Sequence, residues 1–263
     1  MVFGIDEVGR GPLAGPLCIG IVALDPNNEI IGLKDSKKLS EKRRKELYVE
    51  IKEKALYSNT LFIERDRVDK LNIKNATIKG FEEIISEIPS SYQPSEILID
   101  GDEKIKTDYS YKSIIKGDES IPSIMAASII AKVERDERME AIDLNFPAYG
   151  FKNHKGYGTK EHLDAIKIYG PCVQHRKSFK PIKNFKFSAL EAFDIYEMII
   201  EARKLLENKN DQEIKKELSR LLEEAEFLNE KKKGKKIKQI EMLKEQLNKE
   251  WKFLRKAFQN RKF

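Results

Sequence analysis

Cysteine is nearly absent from this chain: Cys18 and Cys172 are the only two in 263 residues, far apart and without metal-ligand spacing. A disulfide framework or a cysteine zinc site is therefore not expected, and both read as reduced packing residues of a cytoplasmic protein. Histidine is equally scarce. His154, His162 and His175 lack the close pairing of a zinc hydrolase, and no nucleophile elbow supports Ser-His-Asp chemistry. Nor is there an apolar run of the eighteen or more residues that a membrane helix needs, and the start Met1-Val2-Phe3-Gly4-Ile5 enters a strand rather than a signal peptide. A soluble protein is expected, and no feature names a protein partner, so a monomer is the default.

Net charge is also missing from most of the molecule. Residues 207–263 hold 17 Lys and Arg against 11 Asp and Glu, so the whole excess of +6 lies there and the first 206 residues balance. A basic segment on a balanced domain suggests a polyanion, although runs such as Lys231-Lys232-Lys233 are equally well read as a solvated face.

Hydrophobic residues make up 40% of the chain, enough for a core. Residues 17–24 form a β-rich run closed by Asp25-Pro26-Asn27-Asn28, and residues 30–33 are expected to return antiparallel to it. Ser40 reads as the N-cap of a first helix. Residues 60–63 form another strand, Ile73, Ile78, Phe81, Ile84 and Ile85 keep helical spacing, and Ile97-Leu98-Ile99-Asp100-Gly101 reads as a buried strand. Residues 111–115 read as the last strand, residues 122–139 as a helix and residues 145–160 as an elaborate Gly-, Pro- and aromatic-rich loop. Strands followed by βαβ alternation predict an α/β fold with a mixed sheet. Beyond residue 187 three amphipathic helical segments are expected, broken at Lys233-Gly234-Lys235, so we divide the chain into a domain at 1–187 and a charged helical extension at 188–263.

The chemistry concentrates in Gly4-Ile5-Asp6-Glu7-Val8-Gly9-Arg10-Gly11. Adjacent strand residues point to opposite faces, so Asp6 and Glu7 can serve one site only if the strand ends where they stand. Asp100 and Asp118 also stand at the ends of elements. Carboxylates gathered in this way cannot all ionise without a cation, and a divalent metal with hard oxygen ligands supplies it. Two such ions would suit phosphoryl transfer. Asp136 rivals Asp118, but Lys132 four residues earlier explains it as a helix ion pair, and we rank it second. Asp35-Ser36-Lys37-Lys38 places a hydroxyl, cations and amides before a helix, where anions bind. Phe151-Lys152-Asn153-His154-Lys155-Gly156-Tyr157-Gly158-Thr159 interleaves bases and aromatics as a stacking loop would.

Taken together these segments resemble the bacterial ribonuclease HII family of type 2 ribonucleases H. The match includes residues 4–16, Asp35-Ser36-Lys37-Lys38-Leu39, Ile99-Asp100-Gly101, Gly117-Asp118, residues 126–133, Tyr149-Gly150-Phe151, residues 154–159, Gly170-Pro171 and His175-Arg176-Lys177-Ser178-Phe179. It spans about residues 1–185. The resemblance implies a ribonuclease H-like mixed five-stranded sheet flanked by helices, with a metal site of Asp6, Glu7, Asp100 and Asp118 holding two Mg²⁺ or Mn²⁺ ions. It further implies that Gly9, Arg10 and Gly11 read the ribose 2′-hydroxyl, that Tyr157 stacks under the next sugar, and that Ser36 and Lys37 help hold substrate phosphates. The implied substrates are RNA-DNA hybrids and duplex DNA containing ribonucleotides, cut 5′ to the ribonucleotide to leave 3′-hydroxyl and 5′-phosphate ends. Arg10 also matches HII enzymes, whereas the related HIII type carries Lys there and an extra N-terminal domain for which no room is expected before Asp6. Two other functions share the fold: a non-catalytic nucleic-acid-binding module, and a DNA nuclease without ribonucleotide specificity. Residues 190–263 carry no motif of the family.

Overall fold

The computed structural model describes residues 1–169 and 171–184. The expected helices beyond residue 187 and the extension at 188–263 lie outside these. Strands β1 (Val2–Val8) and β2 (Leu17–Ala23) are followed by helix α1 (Glu41–Lys54), strand β3 (Tyr57–Ile63) and helices α2 (Arg65–Leu71) and α3 (Ile73–Ser86). Then come β4 (Glu96–Asp100), β5 (Tyr111–Ile114), the long α4 (Pro122–Asn145) and the short α5 (Phe151–His154) and α6 (Lys160–Tyr169). The five strands form one mixed sheet in the order β3-β2-β1-β4-β5, antiparallel on the β3-β2-β1 side and parallel on the β1-β4-β5 side.

Every residue of β2 is buried, as expected of an inner strand covered on both faces, and this explains why it reads as a continuous apolar run rather than an alternation. On one face Phe3, Ile5, Ile19, Ile21, Ile97 and Ile99 pack with Phe81, Ile84 and Ile85 of α3. On the other lies α4, on which α1 rests through Leu47 and Ile51 against Ala126, Ala127 and Ile130. The small residues of α4 have a geometric cause. A methyl group added at Gly20 would fall 2.3 Å from the Ala127 carbonyl oxygen, so sheet and helix touch backbone to backbone. Beyond the sheet a second cluster, including Leu13, Ala14, Met139, Tyr149, Phe151 and Ile182, knits the end of α4 to the loops around it.

Two expectations need correction. Residues 30–33 form no strand: Gly32 takes φ +90° and Ile30 drops into the α1-α4 cluster, while β3 is the antiparallel partner of β2. The first strand also does not stop at Ile5. Pairing with β2 continues to Val8↔Cys18, whereas pairing with β4 runs out at Ile5↔Ile99. Asp6 and Glu7 therefore remain in a strand, but one that has lost its neighbour on the β4 side. The loop at residues 145–160 contains a 3-10 turn, Pro147–Tyr149, and α5. Both cysteines are buried and free.

Candidate active site

Where β4 ends, the sheet opens, and the acids line that opening. Gly4 and Asp6 share the face toward α4, and Asp6 is held there by Ser128 of that helix. Ser128 in turn is 2.8 Å from the hydroxyl of buried Ser36. Asp100, the last residue of β4, accepts hydrogen bonds from the backbone N–H of Gly117 at 2.7 Å and of Asp118 at 3.4 Å, which draws the 3-10 turn Gly117–Glu119 against the strand end. Lys37 reaches across from the turn Ser36–Lys38, its Nζ 3.3 Å from Asp118 Oδ2. On the other side of β1, Arg10 spans Glu7 at 3.4 Å and Glu103 at 3.3 Å.

Burial pushes the Asp6 carboxyl well above the usual carboxylate range, and Glu7 and Asp100 add repulsion. Burial likewise raises Glu7 to about 7, with Asp100 adding to it and Arg10 and Lys37 opposing. Asp100 is raised by burial and then by Asp118. Lys37 is raised: burial acts against its charge, but Asp118, Asp6 and Asp35 outweigh it. Repelling buried carboxylates of this kind lack positive charge, and the donor set is all hard oxygen. No group of three or more His, Cys, Asp or Glu side chains among the described residues could by itself hold a metal ion. That openness suits Mg²⁺ or Mn²⁺ better than a closed cage would, because Mg²⁺ is held by one or two carboxylates and completes its shell with water and substrate phosphate. Lys37 and Arg10 occupy the acids meanwhile. Asp136 lies apart, with its carboxylate 2.7 Å from Lys132 and 4.0 Å from Arg44. It is eight residues along α4 from Ser128, roughly 12 Å at helical rise.

Beside the acids, two loops are laced together. Leu13 N–H donates to Gly156 O at 2.8 Å, and a methyl group added at Gly156 would fall 2.5 Å from Ala14 O. One added at Gly11 would lie 3.5 Å from the Tyr157 ring. The Gly9-Arg10-Gly11 segment and the half-exposed Tyr157 thus share one wall. Behind Tyr157, His175 and His162 form a hydrogen-bonded chain whose proton positions follow from its ends. Cys172 N–H donates to His175 Nδ1 at 2.9 Å, so His175 Nε2 donates to His162 Nε2 at 3.0 Å, and His162 Nδ1–H donates to Tyr157 O at 2.8 Å. Burial lowers His162 to about 4 and His175 to about 3, which keeps the chain uncharged.

The structure thus brings Asp6, Glu7, Asp100, Asp118 and Lys37 to one opening, with Gly9, Arg10, Gly11 and Tyr157 beside it. The Ser36 hydroxyl is turned inward to Ser128, so its turn faces the opening with Lys37. Sequence reasoning missed Glu103, whose only signal was its place two residues after Gly101, and Ser128, which read as one more small helix residue. It also missed Arg135 and Arg176, whose burial no pattern announced.

A sheet of this order with acids gathered at its open end defines a ribonuclease H-like nuclease. The family model described as Ribonuclease HII matches residues 3–182. Curated relatives include ribonuclease HII of Shewanella woodyi, 45% identical over 188 residues, covering 68% of this chain and 87% of that protein. Ribonuclease HII of Vibrio campbellii is 48% identical over 183 residues, covering 70% and 85%. Among solved structures, a chain of the PCNA:RNase HII complex from Archaeoglobus fulgidus superposes with a TM-score of 0.60 at 28% identity, covering 73% of this chain and 99% of that one. The ribonuclease H2 of Pyrococcus horikoshii gives 0.59 at 25%, covering 70% and 95%. The chain belongs to the ribonuclease HII family and is a metal-dependent endoribonuclease. No helix among the described residues is long and apolar enough to cross a membrane.

Proposed function

We propose that this enzyme hydrolyses RNA in RNA-DNA hybrids and cuts 5′ to single ribonucleotides embedded in duplex DNA, using two Mg²⁺ or Mn²⁺ ions. The observation that carries the reading is the shared wall. Close-packed glycines and an aromatic ring stand beside four acids, so recognition of a sugar and hydrolysis of the phosphodiester next to it fall within one site. Asp6, Glu7, Asp100 and Asp118 would hold the ions. When bound, these supply Lewis acidity that activates water and offsets charge developing on the phosphate.

The chain's own groups do the rest. The backbone of Gly9, Arg10 and Gly11 meets the 2′-hydroxyl, the group that separates RNA from DNA. Tyr157 stacks on the following sugar, and Lys37 leaves Asp118 to neutralise a phosphate oxygen, with the Ser36 turn supporting it. Water adds to phosphorus, the P–O3′ bond breaks, and the 3′-oxygen leaves with a proton, giving 3′-hydroxyl and 5′-phosphate ends.

Asp100→Asn preserves the acceptor for Gly117 N–H but removes a charge between the other acids. We expect it to fold normally and to lose cleavage of a duplex carrying one ribonucleotide by at least about 100-fold in Mg²⁺. Near-normal turnover would overturn the site. Cleavage of the same duplex made wholly of DNA would instead favour a nuclease without ribonucleotide specificity.

A further inference from the structure

The segment His175-Arg176-Lys177-Ser178-Phe179 has no part in holding metal, yet among the described residues Arg176 and Arg135 are the largest side chains with no solvent exposure. A guanidinium stays charged at physiological pH, and a buried charge ordinarily needs a carboxylate. Among the described residues no carboxylate forms an ion pair with Arg176. Its nitrogens donate instead to three carbonyls of one loop: Nε to Gly15 at 3.0 Å, one terminal nitrogen to Arg10 at 3.0 Å and the other to Gly9 at 2.7 Å. Phe179 covers its plane, 5.1 Å from guanidinium carbon to ring centre.

A peptide unit is planar and trans, so its N–H points opposite to its C=O. With the Gly9 carbonyl fixed on a guanidinium in the interior, the Arg10 N–H is turned outward. With the Arg10 carbonyl fixed likewise, so is the Gly11 N–H. Gly11 is exposed, and its face meets Tyr157. Arg135 repeats the device one step away, donating to the carbonyls of Pro16 at 2.9 Å and Lys155 at 3.2 Å, and so ties the same loop to the segment carrying Tyr157.

We infer that Arg176 is a positioning residue for ribose recognition: by clamping the Gly9 and Arg10 carbonyls inward, it presents the Arg10 and Gly11 amides as two fixed donors to the substrate's 2′-hydroxyl. The inference rests on the proposed function, since it assumes that ribose meets these amides. A lysine at this position would keep the charge but lose the fork, because an ammonium is a compact point charge that does not span three carbonyls in a plane. Arg176→Lys therefore separates charge from geometry.

The test is steady-state cleavage of a duplex with one ribonucleotide, in Mg²⁺, with the all-DNA duplex of the same sequence as competitor. For Arg176→Lys we expect kcat/KM to fall by about 100-fold, the scale of a misplacement of ~1 Å, with the inhibition constant of the all-DNA competitor unchanged. Unchanged kcat/KM, or equal losses in cleavage and in competitor binding, would overturn the inference. A wild-type enzyme that fails to cut the ribonucleotide duplex would bring down the proposed function itself, which is a different result.

If Arg176→Lys does not fold, amide hydrogen exchange on the wild-type enzyme without divalent metal decides. The Arg10 and Gly11 amides should exchange fast in the free protein and be protected by the ribonucleotide duplex but not by the all-DNA duplex. Protection in the free protein, or equal protection by both duplexes, would overturn the inference.

Discussion

Glu7 sits where burial and charge oppose each other, and the balance makes metal binding depend on pH. Its carboxyl is raised to about 7, chiefly by burial, with Asp100 adding and Arg10 and Lys37 opposing. A group raised in the folded state favours folding while protonated, and this contribution is lost as pH rises from the unfolded value of 4.5 through about 7. A divalent ion needs the ionised form, so below pH 7 it must displace a proton. Apparent Mg²⁺ affinity should then rise between pH 6 and 8, with Glu7 contributing up to about tenfold per unit below its pKa. Glu7→Gln should make that profile shallower, with Asp6 retaining the remainder, as well as weaken binding. Calorimetry in two buffers of different ionisation enthalpy measures the protons released, and a flat wild-type profile would remove Glu7 from the metal site. Residues of this kind were legible in the sequence because adjacent acids in an otherwise apolar strand, and an acid closing one, break the pattern around them. Arg176 and Arg135 were not, because an arginine written in a sequence carries no sign that carbonyls rather than water will receive it.

Helix α4 connects these residues into one device. Its Ser128 holds Asp6, and the small residues beside Ser128 let the helix lie directly on β1 and β2. Gly20→Ala should therefore act at a distance. The added methyl group would meet the Ala127 carbonyl, which is backbone and cannot turn aside, so the helix must move from the sheet. Overpacking of this kind costs about 1–3 kcal/mol, and the same displacement draws Ser128 away from Asp6. The expected outcome is a lowered denaturation midpoint together with reduced kcat; a variant as stable and as active as wild type would show that the close approach is dispensable. The element pattern that sequence disclosed best follows the same physics. Buried inner strands and a capped first helix announce themselves through apolar runs and Ser40, whose hydroxyl accepts the Arg43 N–H. Residues 30–33 misled because the apolar pair Ile30-Ile31 before Gly32 looks like a strand, while Ile31 is exposed and Ile30 is buried by α1 and α4 rather than by the sheet. The persistence of β1 to Val8 was equally hidden, since it depends on which neighbour stops first, a matter of pairing between segments over 80 residues apart.

At the scale of the whole molecule, charge and catalysis are placed in different parts of the chain. The first 206 residues are electrically balanced, and Lys37 and Arg10, the cations nearest the acids, are engaged by carboxylates. A balanced domain gains little long-range attraction for a nucleic-acid polyanion, whereas residues 207–263 carry all of the +6 excess. We therefore expect that extension to supply phosphate contacts. The matched portion, residues 3–182, corresponds to most of the length of relatives that stand alone as ribonuclease HII, so deletion of residues 208–263 should leave a folded enzyme. That truncated enzyme should keep kcat on saturating substrate while KM rises, because chemistry stays in the domain and only attraction is lost. Binding at several salt concentrations reads the cause: each phosphate contact removed should lower the slope of log affinity against log salt by about 0.9 on duplex DNA. Unchanged affinity with an unchanged slope would mean that the basic excess faces solvent or a protein, and that the balanced domain holds its substrate through the local contacts at Lys37, Tyr157 and the Gly9-Arg10-Gly11 backbone.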